Sequence, residues 1–237
     1  MFLQTDRQTD KIRILIVTDS LGCPRDETYV YDTWTEKVLK SFDYSKVIVY
    51  TYCKYGLSFK DIPIEYIKHL KPNIIIFQIG IVDAARRVVS RKLEEIISRI
   101  PVISRVARIV FSKYHYQLTR LYNCHYAYPD RIEKTIKNII EICSADLFFI
   151  QIAPASKTMC DKSYNLKYEI KRYNDILYKS ETFYNHRVKV INPYMNIVYD
   201  FDSIFIGDGH HLNKKGNSLV YKTVISKLEK FIIDYEV

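Results

Sequence analysis

The stretch "ILIVTDSLGCPRDE", residues 14–27, begins as an apolar, β-branched run and stops abruptly at Asp19-Ser20, with Gly22 and Pro24 close behind. An apolar run closed by turn residues is the pattern of a buried strand that ends in a loop. With Ile12 and Arg13 it gives a strand over 12–17, and four further stretches repeat the pattern: 46–52, 73–79, 146–152 and 188–192. Between them, apolar residues recur at three- and four-residue spacing over 33–41, 59–70, 129–143, 166–179 and 214–233, the period of an amphipathic helix. Strand and helix therefore alternate. Nearly continuous apolar strands need cover on both faces, which predicts a central parallel sheet between two helical layers, with functional loops at the strand C-termini. That geometry gathers Ser20, Gly56, Gly80 and Ala153 on one rim. Residues 88–123 are helical in pattern but fall between the third strand and the next regular helix, so they read as a helical insertion. No linker or repeat marks a boundary, and 1–237 is expected to form a single domain.

The chain is 48% hydrophobic and 14% aromatic over 237 residues, enough for one sizeable core. Its start, "MFLQTDRQTD", is polar where a secretory signal would be apolar, and no segment is long and uncharged enough to span a bilayer. The expected location is cytoplasmic, with peripheral contact at the inner face of the membrane left open. The five cysteines are scattered without a C-x-x-C pair, which argues against a disulfide framework or zinc knuckle; most of them read as buried free thiols, with Cys23 near the candidate site.

The net charge of +9 is concentrated in 84–125, where Arg86, Arg87, Arg91, Lys92, Arg99, Arg105, Arg108, Lys113 and Arg120 face only Glu94 and Glu95. Within it, Val102, Ile103, Val106, Ile109 and Val110 make an apolar stripe at helical spacing, with Arg105, Arg108 and Lys113 away from it. Two readings stay open: a helix packed on its own core with a solvated basic face, or one laid on an anionic membrane or lipid-linked phosphate. No nucleic-acid recognition module accompanies the charge, so nucleic acid is not expected as a partner.

A serine after the first strand gains meaning from "IGDGHHLNKKGNSLVY", residues 206–221. Asp208 and His211 stand three apart in a glycine-containing loop before the last helix, so the carboxylate can reach one imidazole nitrogen while the other faces Ser20. Ser20 would attack, His211 take and return the proton, and Asp208 hold the tautomer. His210 has the wrong spacing for the base and reads as a substrate-side or exposed residue.

These residues resemble the SGNH/GDSL hydrolase family, a flavodoxin-like three-layer α/β/α group of esterases, deacetylases and related acyl-transfer enzymes. "VTDSLG" is similar to the family's G-D-S-L block with Thr18 in place of its glycine, and "DGHH" carries the final D-x-x-H. By this resemblance, Gly56 in "CKYGLSF" takes the oxyanion glycine's place and contributes its amide beside that of Ser20. "QIGIVDA", 78–84, takes the place of the G-x-N-D block, but the oxyanion asparagine falls on Val82, which has no polar group to donate. Arg25, Arg86 and Arg87 are the candidates to bind an oxyanion or an anionic substrate group in its stead, and Asp83 is either a loop residue or a substrate contact. The G-I-V-D segment followed by arginine, the early "PR" and "DGHHLNKKG" also resemble a subgroup associated with bacterial surface-polysaccharide biosynthesis. The resemblance implies a serine esterase or acyl-transfer enzyme acting on an O-acyl, in particular an O-acetyl, group of a saccharide or glycoconjugate, with no metal or organic cofactor. The alternative is a catalytically weak binding or assembly protein on the same fold. Oligomeric state is not legible.

Overall fold

The computed structural model describes residues 11–197 and 201–233; the polar start at 1–10 lies outside them. Five strands, β1 (Ile12–Thr18), β2 (Val47–Cys53), β3 (Ile74–Gln78), β4 (Asp146–Ile150) and β5 (Val188–Ile191), form one parallel sheet in the order β2-β1-β3-β4-β5. Ile14 is paired with Val49 on one side and Ile74 on the other, and Ile14–Val17 and Ile74–Phe77 have no exposed surface. Strands so placed must be apolar on both faces, which is why the sequence shows runs rather than alternation.

The helices are α1 (Trp34–Lys40), α2 (Ile64–Leu70), α3 (Ile81–Ala84), α4 (Arg91–Ser98), α5 (Pro101–Lys113), α6 (His115–Leu121), α7 (Pro129–Ile142), α8 (Lys157–Lys162), α9 (Leu166–Phe183) and α10 (Lys214–Ile233). They flank the sheet, with α1 packed against α10 and α7 against α9. The helix expected over 59–70 is divided into a 3-10 turn, Phe59–Asp61, and α2. Pro63 is the cause: it has no N–H to continue a helix and restricts the residue before it.

The chain turns back at β1, which has β2 on one side and β3 on the other. This is the switch point of an open α/β sheet, where loops leave adjacent strand ends in opposite directions and open a crevice. Ser20 follows β1 and Gly80 follows β3, so both border it.

Residues 88–123 form α4, α5 and α6. Their two ends are pinned together, since the Arg87 N–H donates to the Cys124 carbonyl at 2.8 Å across a short antiparallel bridge. One expectation is overturned here: Cys23 and Cys53 are not free thiols but form a disulfide, joining the loop after β1 to the end of β2. Thirty residues separate them in sequence, and only the pairing of Thr18 with Cys53 across β1 and β2 brings the loop after β1 close enough for them to bond. Cys124, Cys143 and Cys160 are free.

Candidate active site

β1 ends in a single 3-10 turn, Ser20–Gly22, whose first amide is capped by Asp19: the Leu21 N–H donates to Asp19 Oδ1 at 2.9 Å. The turn explains how Thr18 replaces a glycine. A Cβ on Gly22 would lie 2.5 Å from Thr18 Cγ2, so the side chain gained at 18 occupies space that only glycine at 22 leaves free.

His211 is delivered by a second tight turn. Gly209 has φ +71°, a conformation that L side chains adopt rarely, and its N–H closes onto the Ile206 carbonyl at 2.9 Å. The turn aims the amides of His210 and His211 at Asp208 Oδ1, 2.8 and 2.9 Å away, while Asp208 Oδ2 accepts from His211 Nδ1 at 2.5 Å. Burial opposes ionisation of Asp208, but those two amides and the imidazole outweigh it and hold the carboxyl at about 2.

His211 Nε2 faces Ser20 Oγ at 2.9 Å, which completes the Ser20-His211-Asp208 chain. Arg25 Nη2 also donates to Nε2, at 2.5 Å. A guanidinium has only donors, so Nε2 must be the acceptor and the proton sits on Nδ1, facing Asp208. This is the tautomer a general base for Ser20 requires. Burial lowers the His211 pKa; Asp208 raises it, and the Arg25 charge lowers it further.

The Ser20 and Gly56 amides, the expected oxyanion donors, give their protons to no acceptor among the described residues. Gly56, with φ +66°, lies in the loop after β2 that packs on the Ser20 side of the site. There Tyr55 donates to the Pro24 carbonyl at 3.1 Å and the Arg25 guanidinium lies 5.5 Å from its ring centre.

The remaining candidates separate. His210 stands edge-on to His211, with ring centres 4.3 Å apart, and burial together with the charge of His211 pushes its pKa down to about 4. It lines a crevice of about 10 Å³ with Leu21, Ile81, Ala153, Pro154 and Phe205. Arg87 is turned to the backbone: its Nη2 donates to the Val82 carbonyl at 2.9 Å and it stacks on Tyr126 at 4.7 Å. Arg86 is engaged by the buried Glu169 at 2.8 Å. Asp83 is placed as a loop residue. It has no exposed surface, and its two oxygens accept from Ser58 Oγ at 2.5 Å and the Phe59 amide at 2.9 Å, clamping the loop after β2 to the one after β3. Burial lifts its pKa to about 6 against those hydrogen bonds. Val82 is buried in the apolar core, so its side chain brings no donor to the site.

Sequence reasoning missed a supporting layer. Gln78 Oε1 accepts from Trp34 Nε1 at 2.6 Å and Thr18 Oγ1 at 3.3 Å beneath the serine turn. Asn217 accepts from the Trp34 amide at 3.0 Å and donates to the Leu212 carbonyl at 3.0 Å, tying α1 and α10 to the histidine loop. The available signal was a lone amide side chain at the end of an apolar strand and another within a helix face that is otherwise apolar. Among the described residues no group of three or more His, Cys, Asp or Glu side chains is placed to hold a metal ion.

No protein-family model and no curated protein matches the sequence. Solved structures do match over nearly the whole chain. A lipase/acylhydrolase from Enterococcus faecalis aligns with TM-score 0.62 at 15% identity, covering 92% of this chain and 96% of its own. A member of the lipolytic G-D-S-L family from Veillonella parvula DSM 2008 aligns with TM-score 0.56 at 16% identity, covering 91% and 97%. A catalytic mutant of an acetylxylan esterase from Geobacillus stearothermophilus gives TM-score 0.58 at 11% identity, covering 91% and 93%. Parallel order, switch point and full-length correspondence together give the chain the fold of the SGNH/GDSL lipases and esterases.

Proposed function

We propose that the protein is a serine esterase or acyl-transfer enzyme of SGNH type that acts on an O-acetyl group of a saccharide or glycoconjugate. The observation that carries this reading is the continuous chain from Ser20 Oγ through His211 to Asp208, in the one tautomer that permits proton transfer. Ser20 Oγ attacks the ester carbonyl as His211 Nε2 takes its proton, and the amides of Ser20 and Gly56 are the donors for the oxyanion. His211 then returns the proton to the departing sugar oxygen, leaving Ser20 acylated. Water or a second sugar hydroxyl, deprotonated by His211, releases the acyl group. Hydrolysis and transfer share the first half and differ only in this acceptor.

The acyl and sugar sides each have support. The crevice between Leu21 and His210, about 10 Å³, has room for roughly one water-sized group, which favours acetyl over longer chains. On the outer side Thr28 donates to the Leu212 carbonyl at 3.2 Å, which sets Tyr29 and Tyr31, stacked at 5.5 Å and both exposed, close to the histidine loop. Exposed aromatic faces of this kind pack on sugar rings. The acetylxylan esterase among the matching structures acts on a substrate of this class.

The Cys23–Cys53 bond bears on location. Disulfides persist in oxidising compartments and are rare in the cytosol, so the pairing favours an oxidising setting over the cytoplasmic one suggested by the polar start. Among the described residues no helix is long and apolar enough to cross a membrane.

A second reading, a binding protein with an idle triad, is favoured by one contact: Arg25 shares the Nε2 lone pair that must accept the Ser20 proton. A fluorophosphonate probe separates the two. Stoichiometric labelling that vanishes in Ser20→Ala is the expected result, and folded wild-type protein that resists the probe would transfer the assignment to the binding role.

A further inference from the structure

α5 has thirteen residues and none of them is buried. It packs chiefly on its neighbours α4 and α6, and its half-buried positions are Ser104, Ala107 and Phe111. Its apolar stripe is left facing out: Val102 is 75% exposed, Ile109 62%, Val106 56% and Ile103 48%. α4, likewise without a buried residue, exposes Leu93 and Ile96, and Ile100 is exposed at the turn between the two. A helix that packs a stripe on its own domain hides it, so the first of the two readings of this segment is excluded. Exposed apolar surface on this scale marks an interaction site.

The charge around the stripe identifies the partner. Arg105 and Arg108 lie on the flank of α5 beside the stripe, Arg99 and Lys113 at its ends and Lys92 on α4; all five are exposed. An apolar stripe bordered by exposed arginines and lysines fits an interface with hydrocarbon on one level and anionic headgroups on the next. We propose that α4 and α5 dock the protein on the surface of an anionic lipid bilayer, with the stripe entering the headgroup boundary and the arginines pairing with lipid phosphates. The segment starts and ends beside the candidate active site, since Arg87 holds the Val82 carbonyl and His125 is bonded to the Asp83 carbonyl at 2.8 Å. Docking would therefore hold the strand-end rim near the membrane, where lipid-linked glycoconjugates present their sugars.

Flotation with vesicles of phosphatidylcholine mixed with phosphatidylglycerol tests the proposal, with pure phosphatidylcholine vesicles as control. Binding is expected on the anionic vesicles at low salt only, weakening as salt screens the charges beyond about 8 Å at physiological ionic strength. Two variants confined to exposed positions, Val106→Glu with Ile109→Glu and Arg105→Glu with Arg108→Glu, should each reduce binding by about tenfold or more. Both should keep wild-type turnover of a soluble ester, which separates loss of docking from loss of catalysis. Absence of binding to anionic vesicles at low salt overturns the proposal. So does binding that survives the glutamates in the stripe, or a wild-type dimer dissociated by those glutamates, which would make a second copy the occupant.

Discussion

At His211 Nε2, two donors, Ser20 and Arg25, share one lone pair, and the balance between them sets when the base is free. Because burial and Arg25 both depress the imidazole pKa, the acid limb of kcat/KM should lie below the ordinary histidine value of about 6.5. Arg25→Ala removes the charge and should move that limb upward in a pH-rate profile on p-nitrophenyl acetate; an unmoved limb would show that Arg25 does not govern the base. Ser20→Ala and His211→Ala should each lower turnover by several orders of magnitude, with the double variant scarcely worse, because residues acting as one unit are not additive. His210→Ala keeps the triad contacts and should be much milder; equal damage would misassign the base. Val82→Asn should reduce activity rather than restore a donor. The valine side chain sits in the core, and an amide there would be left unsatisfied at a cost of about 1 to 3 kcal/mol. A faster asparagine variant on the same ester would contradict this.

Among the elements, the loops after β1, β2 and β3 carry the Ser20 and Gly56 side of the site, and side-chain contacts tie them together beyond the strand ends. Asp83 joins the second loop to the third, and Cys23–Cys53 joins the first loop to the second strand. With 30 residues between the cysteines, the chain-entropy model gives this crosslink about 3 to 4 kcal/mol of stability. Reduction, or Cys53→Ser, should therefore lower the melting temperature on the order of 10 °C for a chain of this size. Calorimetry with and without a phosphine reductant measures the shift, and identical traces would show that the strands alone hold the loop. The crevice beside His210 belongs to this scale too, since it is walled by residues from several of the strand-end loops. An acyl chain beyond acetyl must displace packed side chains, at roughly 1 to 3 kcal/mol, so kcat/KM should fall about tenfold or more from p-nitrophenyl acetate to the octanoate. A flat chain-length series would place the acyl group elsewhere.

For the whole molecule, two buried carboxyls next to the site make stability fall with rising pH. Asp19, without exposed surface, is lifted to about 7 chiefly by burial, against the Leu21 amide, and Asp83 to about 6 for the same chief reason. Both folded values exceed the unfolded one of 3.8, so the native state holds more protons in between. Stability from these groups is thus full below about pH 4 and declines as pH rises through 6 and 7. Asp19→Asn keeps an oxygen to cap Leu21 and removes the ionisation; its denaturation midpoint should vary less between pH 5 and 8 than that of the wild type. An unchanged pH slope would mean that Asp19 titrates normally.

The sequence by itself determined the apolar strands, four of the five regular helices and the Asp208–His211 pair, because each depends on information local in the chain. Apolar runs imply strands buried on both faces, three-residue spacing sets Asp208 against His211, and the glycines at 22 and 209 mark turns that other residues would strain. The fifth helix broke at Pro63, a local signal that periodicity overrode. What only the tertiary structure decided are contacts between segments far apart in the chain. The Cys23–Cys53 bond depends on the register of β1 with β2, and the burial of Asp83 on a loop that arrives 25 residues earlier. The position of Arg25 on His211 spans 186 residues, and the outward turn of the α5 stripe follows from what the rest of the fold leaves uncovered. Periodicity reports that a helix has an apolar face; which way that face looks is settled only when every other surface has found its partner.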